Sequence, residues 1–258
     1  MKKLIAIVIL AALPAVVLAS EGEGPKLDPV KIDLGDKPSL QRGARIFVNY
    51  CLSCHSAAYM RYNRMGHDLG ISDELVKENL LFAADRVGDL MQAVMPADEA
   101  KAAFNTVPPD LTLEARARSP EWFYTYMRSF YQDDKSVSGW NNRVFPHVAM
   151  PNVLYEWQGH QQPIYKTVKV ITHVEQDGKL VEKTIDEEKF DHFELVKPGS
   201  MTSAEYDGSM RDLTNFMVYM GEPAKLVRPH LGVYVLLFLA VFLVVAYLLK
   251  KEYWKDVH

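Results

Sequence analysis

Cys51-Leu52-Ser53-Cys54-His55 is the segment on which the reading of this chain turns. Two thiols three positions apart, followed at once by an imidazole, suit covalent haem attachment. Each thiol adds to one vinyl group, and the histidine is set beneath the iron as an axial ligand. The chain has only these 2 cysteines. That is too few for a disulfide framework or for a four-cysteine zinc or iron–sulfur site. A thioredoxin-like dithiol uses the same spacing, but it follows a strand within a βαβ pattern. Upstream of Cys51 the pattern is helical instead. Leu40, Gly43, Ala44, Phe47, Val48 and Cys51 recur at helical spacing, and Ser39 after Pro38 offers an N-cap. This predicts a helix over 39–51 that delivers its apolar face to the cysteine motif.

The two ends of the chain are strongly apolar. Met1-Lys2-Lys3 is a positive start, Leu4 to Ala19 is apolar apart from Pro14, and Ser20 opens an acidic stretch. These are the three parts of a secretory leader, predicted at 1–19. An uncleaved N-terminal anchor is the alternative, which the shortness of the run and Pro14 disfavour. Leu231 to Leu249 carries no charge and no polar face. At about 1.5 Å per residue it reaches roughly 30 Å, the thickness of the hydrocarbon layer. Tyr234 and Tyr247 stand near its ends, where amphipathic rings prefer the interface. The expected organisation is a leader at 1–19, an exported domain at 20–229, a transmembrane anchor at 230–249 and a cytoplasmic tail at 250–258. Export also suits covalent haem attachment.

The full 258 residues are 48% hydrophobic and 24% charged, with a formal net charge of −4. This is a globular balance, and it disfavours nucleic-acid binding, which is usually carried by a basic surface. Residues 20–38, rich in proline, glycine and charge, read as an extended arm. Met210, Leu213, Met217 and Met220 form one stripe of a helix over 203–220. Further helices are expected at 121–131, 72–84 and 85–95. Tyr165 to Ile185 alternates apolar and polar residues around Asp177-Gly178, a hairpin signal. The fold class is therefore mainly α with a two-stranded excursion and one C-terminal transmembrane helix.

The second axial ligand decides what such a haem does. A methionine makes a six-coordinate electron carrier, whereas an open site binds ligands or handles peroxide. Met60 and Met65 lie too near the motif to reach the far haem face with ease. Met210, Met217 and Met220 belong to a core stripe, the commoner fate of methionine. Met150 sits in Phe145-Pro146-His147-Val148-Ala149-Met150-Pro151-Asn152, where two prolines hold a loop. It is the first choice on local grounds, with Met201 and His147 behind it. Arg116 and Arg118 follow the rigid Pro108-Pro109-Asp110-Leu111 bend. A haem propionate is a natural partner for a bidentate arginine, and a solvated surface arginine is an equal alternative.

Taken together, these residues resemble the bacterial cytochrome c1 family. The resemblance covers nearly the whole chain. It rests on Arg42-Gly43, CLSCHS at 51–56, Tyr59-Met60-Arg61-Tyr62-Asn63-Arg64, the PPDL block, Arg116-Ala117-Arg118 and Val148-Ala149-Met150-Pro151. The helix ending at Gly221-Glu222-Pro223 and the tail anchor complete it. It implies a class I c-type cytochrome core with insertions, in which helix 39–51 packs across helix 203–220. It implies that Cys51 and Cys54 hold one haem c, that His55 and Met150 ligate its iron, and that Arg118 binds a propionate. Trp122 falls near the family's propionate-contacting tyrosine. Some relatives carry an extra disulfide near the methionine. This chain lacks those cysteines, so packing and proline alone are expected to hold that loop.

The implied function is electron transfer within a quinol–cytochrome c oxidoreductase. One electron arrives from a Rieske iron–sulfur protein and leaves to a c-type cytochrome, with no catalysis by this subunit alone. The implied partners are cytochrome b, the Rieske protein, the acceptor cytochrome and the inner membrane, in a dimeric complex with the haem domain in the periplasm. A free-standing tethered cytochrome, an oxidase haem subunit and a haem enzyme with an open site are the rivals. Glu187, Glu188, Asp191 and Glu194 offer an acidic face to a basic acceptor. Lys183 and Lys189 among them favour a plain solvated face equally.

Overall fold

The computed structural model describes residues 24–176 and 179–255. The expected leader at 1–19, the Asp177-Gly178 turn and the last three residues lie outside the described residues.

Helix α1 spans Lys37–Ile46 and continues as a π-helical turn, Phe47–Cys51, that ends on the first cysteine. The expected helix is thus present, with a different start and a wider last turn. Asp36, not Ser39, is its cap, accepting from the Ser39 N–H at 3.1 Å. Ser39 is buried and donates its hydroxyl to Asp212 at 2.7 Å instead. Among the described residues seven further α-helices follow before the C-terminal one. They are α2 (Tyr62–Leu69), α3 (Asp73–Asn79), α4 (Ala97–Phe104), α5 (Glu114–Ala117), α6 (Pro120–Arg128), α7 (Tyr155–Gln158) and α8 (Ser203–Gly221). Thr202 and Glu205 close a reciprocal capping box on α8.

The core forms where α1 crosses α8. A Cβ placed on Gly43 would stand 2.2 Å from the Asp212 carbonyl oxygen, so only glycine permits this approach. Leu40, Ala44 and Phe47 from α1 meet Met210, Leu213, Phe216 and Met217 from α8, all buried. Each large side chain so buried contributes about 1.5–3 kcal/mol. The Phe47 and Phe216 rings lie 5.7 Å apart.

Polar groups lock the same crossing. Arg42 reaches Asp212 at 2.5 Å, and Asn215 donates to Ser39 Oγ at 3.1 Å and to the Asp33 carbonyl at 2.7 Å. Burial works to raise the Asp212 carboxyl, but hydrogen bonds from Arg42 and Ser39 outweigh it and hold the group below its ordinary range. The segment before α1, residues 24–36, is in neither helix nor strand, whereas Lys37 and Pro38, expected in the arm, begin α1. The arm is tied down by Arg128, which bridges Asp28 on it and Asp207 on α8, each at 2.5 Å.

Three antiparallel pairs flank the helices: β1 (Ala57–Arg61) with β2 (Leu90–Met91), β3 (Phe130–Gln132) with β4 (Trp140–Asn142), and β5 (Gly159–Gln176) with β6 (Lys179–Pro198). The helix expected at 85–95 is therefore absent. Residues 90–91 pair with β1 instead, and the helix expected at 72–84 ends at Asn79. The β5–β6 ribbon is longer than the 165–185 expectation, pairing Gly159 with Pro198 at its base and Gln176 with Lys179 at its tip. At that base Gly159 has φ +85°, and a Cβ on it would stand 2.3 Å from the Lys197 carbonyl oxygen. The final helix, α9, spans Arg228–Tyr253, long and apolar enough to cross a membrane. Its Leu236, Phe238 and Leu243 side chains are 69%, 66% and 69% exposed, so the rest of the protein does not cover them. Arg228 at its start pairs with Glu222.

Candidate haem site

The π-helical turn brings Cys51 to a buried position, and the chain then turns tightly so that the His55 N–H reaches the Cys51 carbonyl at 2.8 Å. Cys54 is half-buried. Burial pushes the Cys51 thiol up to about 12. A redox dithiol needs a lowered thiol and a preceding strand, and here a helix leads in.

His55 Nδ1 lies 2.8 Å from the Pro109 carbonyl oxygen. A carbonyl only accepts, so Nδ1 carries the proton and the Nε2 lone pair is left for a metal. Burial pulls the imidazole below its ordinary value, with the Pro109 carbonyl opposing, so the neutral ligand form is favoured. Pro108-Pro109-Asp110-Leu111 is tied at two further points to the residues that follow the motif, and Asp110 also braces its own turn. Leu111 N–H donates to the Ser56 carbonyl at 2.8 Å, and the Asp110 carboxylate accepts from Ala58 N–H at 2.7 Å and Thr112 N–H at 2.8 Å.

From Arg118, just before α6, a column of side chains leads along that helix to Met150. The Arg118 guanidinium sits 4.5 Å over the Trp122 ring, with its Nε 2.6 Å from Glu114. Trp122 stacks on Tyr126 at 5.0 Å and 11°. The Tyr126 hydroxyl donates to Met150 Sδ at 3.4 Å. Burial raises the Tyr126 hydroxyl well above its ordinary value, so it stays protonated and remains a donor. Arg118, Trp122 and Met150 are thus brought together. Tyr126 and Glu114 were not anticipated, although Trp122 and Tyr126 one helical turn apart were a readable signal.

Met150 rides on a loop that Pro146 and Pro151 stiffen, but proline and packing do not hold it alone. Two buried asparagines do much of the holding, which corrects the expectation above. Asn142 Oδ1 accepts from Val144 N–H at 2.9 Å and Phe145 N–H at 3.2 Å, while its Nδ2 donates to the Tyr126 carbonyl at 2.8 Å. Asn141 Oδ1 accepts from His147 N–H at 2.8 Å. His147 itself is exposed, with φ 61°, and the Met201 N–H is bonded to the Trp157 carbonyl.

Two adjacent thiols, an imidazole with one free nitrogen and a thioether presented on a fixed loop form a donor set that fits a covalent haem. With the one apolar C-terminal helix, they define a membrane-anchored c-type haem protein. The model of the Cytochrome C1 family matches residues 32–163 and 193–257. Cytochrome c1 of Allochromatium vinosum is 49% identical over the full length of both chains. A protein named ammonia monooxygenase gamma subunit, from Nitrosomonas europaea, is 47% identical over 99% of this chain and 100% of its own. Cytochrome b/c1 of Bradyrhizobium diazoefficiens is 27% identical over 86% of this chain, which covers 34% of that relative. The chain belongs to the cytochrome c1 family. With that family go a covalently bound haem c and electron transfer as a membrane-anchored subunit of the cytochrome bc1 complex.

Proposed function

We propose that Cys51 and Cys54 would hold the haem by thioethers, that His55 Nε2 and Met150 Sδ would ligate its iron, and that Arg118 and Trp122 would bind a propionate. The haem would supply one-electron chemistry, with the iron cycling between two charge states. The surrounding residues restrict what must move when it does. Pro109 fixes the imidazole ring, Tyr126 and the two asparagines fix the sulfur, and Glu114 orients Arg118. Little reorganisation is then needed per electron, which is what a carrier requires. The α1–α8 crossing, with the cysteine motif at the end of α1, supports a class I cytochrome core.

On this reading one electron comes from the Rieske iron–sulfur protein and passes to a c-type cytochrome, with cytochrome b as neighbour in a dimeric complex. The fused name of the Bradyrhizobium relative favours that neighbour. The domain at 20–229 would lie in the periplasm, behind a leader at 1–19, with α9 as anchor over 230–249 and the tail at 250–258 in the cytoplasm. The Nitrosomonas relative's name favours a second reading, an electron carrier serving an oxygenase. Copurification with cytochrome b and a Rieske protein supports the first. Copurification with oxygenase subunits in their place supports the second.

The observation that carries the ligand assignment is the Tyr126 hydroxyl on Met150 Sδ, because it fixes a sulfur that would otherwise be a core filler. Met150→Leu tests it. The variant keeps its covalent haem, its reduction potential falls by on the order of 0.2 V, and the reduced protein binds carbon monoxide. An unchanged potential would show that another residue is the ligand.

A further inference from the structure

A cavity of about 260 Å³ lies between the start of α6 and the end of α8, away from the aromatic column. Arg116, Ser119, Pro120, Gly221, Glu222 and Lys225 line it. Two features distinguish its lining. Arg116 and Lys225 are both exposed, and neither side chain makes an ion pair or hydrogen bond to any described residue. The acid in the lining, Glu222, is already matched by Arg228. The cavity thus has two uncommitted cations and no uncommitted anion.

Its depth identifies the occupant. Lys225 belongs to the short 3-10 turn Pro223–Leu226 that runs directly into α9. The uncharged run begins at Leu231, so Lys225 stands within roughly 11 Å of it, at about 2 Å per residue in the 3-10 turn and 1.5 Å in the helix. The polar layer of a bilayer is roughly 5–8 Å thick on each side, and a lysine stem reaches several ångströms further. Leu226 and Val227, 55% and 63% exposed, continue the surface from the cavity toward the membrane. A phosphate group placed between Arg116 and Lys225 would therefore have acyl chains running down the start of α9. The geometry points to a binding site for the headgroup of an anionic phospholipid, at the face where the globular domain meets the membrane. Free inorganic phosphate would satisfy the same cations, but it has no use for the apolar strip beneath them.

The test uses the full-length haem-loaded protein in nanodiscs. A photoactivatable phosphatidylglycerol or phosphatidylcholine is added, and the labelled peptides are mapped by mass spectrometry. Peptides covering 115–120 and 218–226 are labelled by phosphatidylglycerol in preference to phosphatidylcholine. Arg116→Gln and Lys225→Gln each weaken that labelling about fivefold, the effect of one cation near an anionic surface. Labelling around Lys250 and Lys251 at the other end of α9 is unchanged and serves as the internal reference. Equal labelling by the two lipids in the unsubstituted protein, which requires no variant, overturns the proposal. So does full labelling in the Gln variants with an unaltered haem spectrum. Loss of label when inorganic phosphate is added overturns it in favour of a free-anion site. Haem content and potential report on the electron-transfer site separately, so failure here leaves that reading standing.

Discussion

The α1–α8 crossing and the β5–β6 ribbon are built on opposite terms. At the crossing, two helices touch through Gly43, bury a phenylalanine pair, and satisfy their polar groups on Asp212 and Asn215. In the ribbon, two long strands satisfy one another's backbones and touch the rest of the protein chiefly near their base. There Phe193 meets Tyr131, and Arg143 lies 4.6 Å over Phe190. The family model covers the crossing and leaves residues 164–192 unmatched. What positions the haem motif is shared with the family, and what projects from the domain belongs to this chain and its nearer kin. The acidic residues of the ribbon are partly spent as well. Asp191 is paired with Lys166 at 2.7 Å, and Glu187 faces Lys189 at 3.6 Å.

That contrast can be broken or sharpened by substitution. Gly43→Val should have the largest effect. Its side chain would have to displace the Asp212 backbone, costing about 4 kcal/mol or more and leaving no stable haem protein at growth temperature. Haem content of membranes against total protein checks it. Arg42→Gln comes next, at about 2 kcal/mol at neutral pH, a value reduced because Arg42 is half exposed. Its signature is in the acid limb. Asp212 has a depressed folded-state pKa, so its contribution is present above the unfolded value near 4 and is lost as pH falls through the lower folded value. Without Arg42 that depression shrinks, so the variant loses less stability between neutral and acid pH and its deficit narrows as the pH falls, which melting curves over that range would reveal. Tyr126→Phe removes one hydroxyl from the sulfur, costing about 1 kcal/mol. If all of that fell on one oxidation state, the potential would move by about 40 mV. The smallest effect is expected from replacing residues 168–187 by Asn-Gly, joining the paired Thr167 and Glu188. Stability should stay within about 1 kcal/mol and the haem potential should not move. A large loss of stability would show that the ribbon is part of the core after all.

The same contrast decides what could be read in advance. The helix at 203–220 was legible because its methionines and leucine repeat on one stripe, and the ribbon because its residues alternate about Asp-Gly. The β1–β2 pair was not, since two residues at Leu90–Met91 carry no period and their partner lies far away in the chain. Asp36 displaced Ser39 as the cap because the demand on Ser39 comes from Asp212, more than 170 positions away, which no local signal announces. At the proposed haem site, the cysteines, the histidine, Met150 and Arg118 were visible as motifs. The residues that orient them were not, because a proline carbonyl, a tyrosine hydroxyl and two asparagine amides act only once the chain has folded.

The π-helical turn at Phe47–Cys51 has one more consequence. A widened turn holds one residue beyond the normal count, so the cysteines are rotated by about 100° from where an unbroken α-helix would aim them. The surface that grips α8 and the surface that offers thiols are thereby indexed independently along one rod. Deleting Asn49 or Tyr50 would leave the Phe47–Phe216 pair in place while turning the cysteine motif by about 100° about the helix axis.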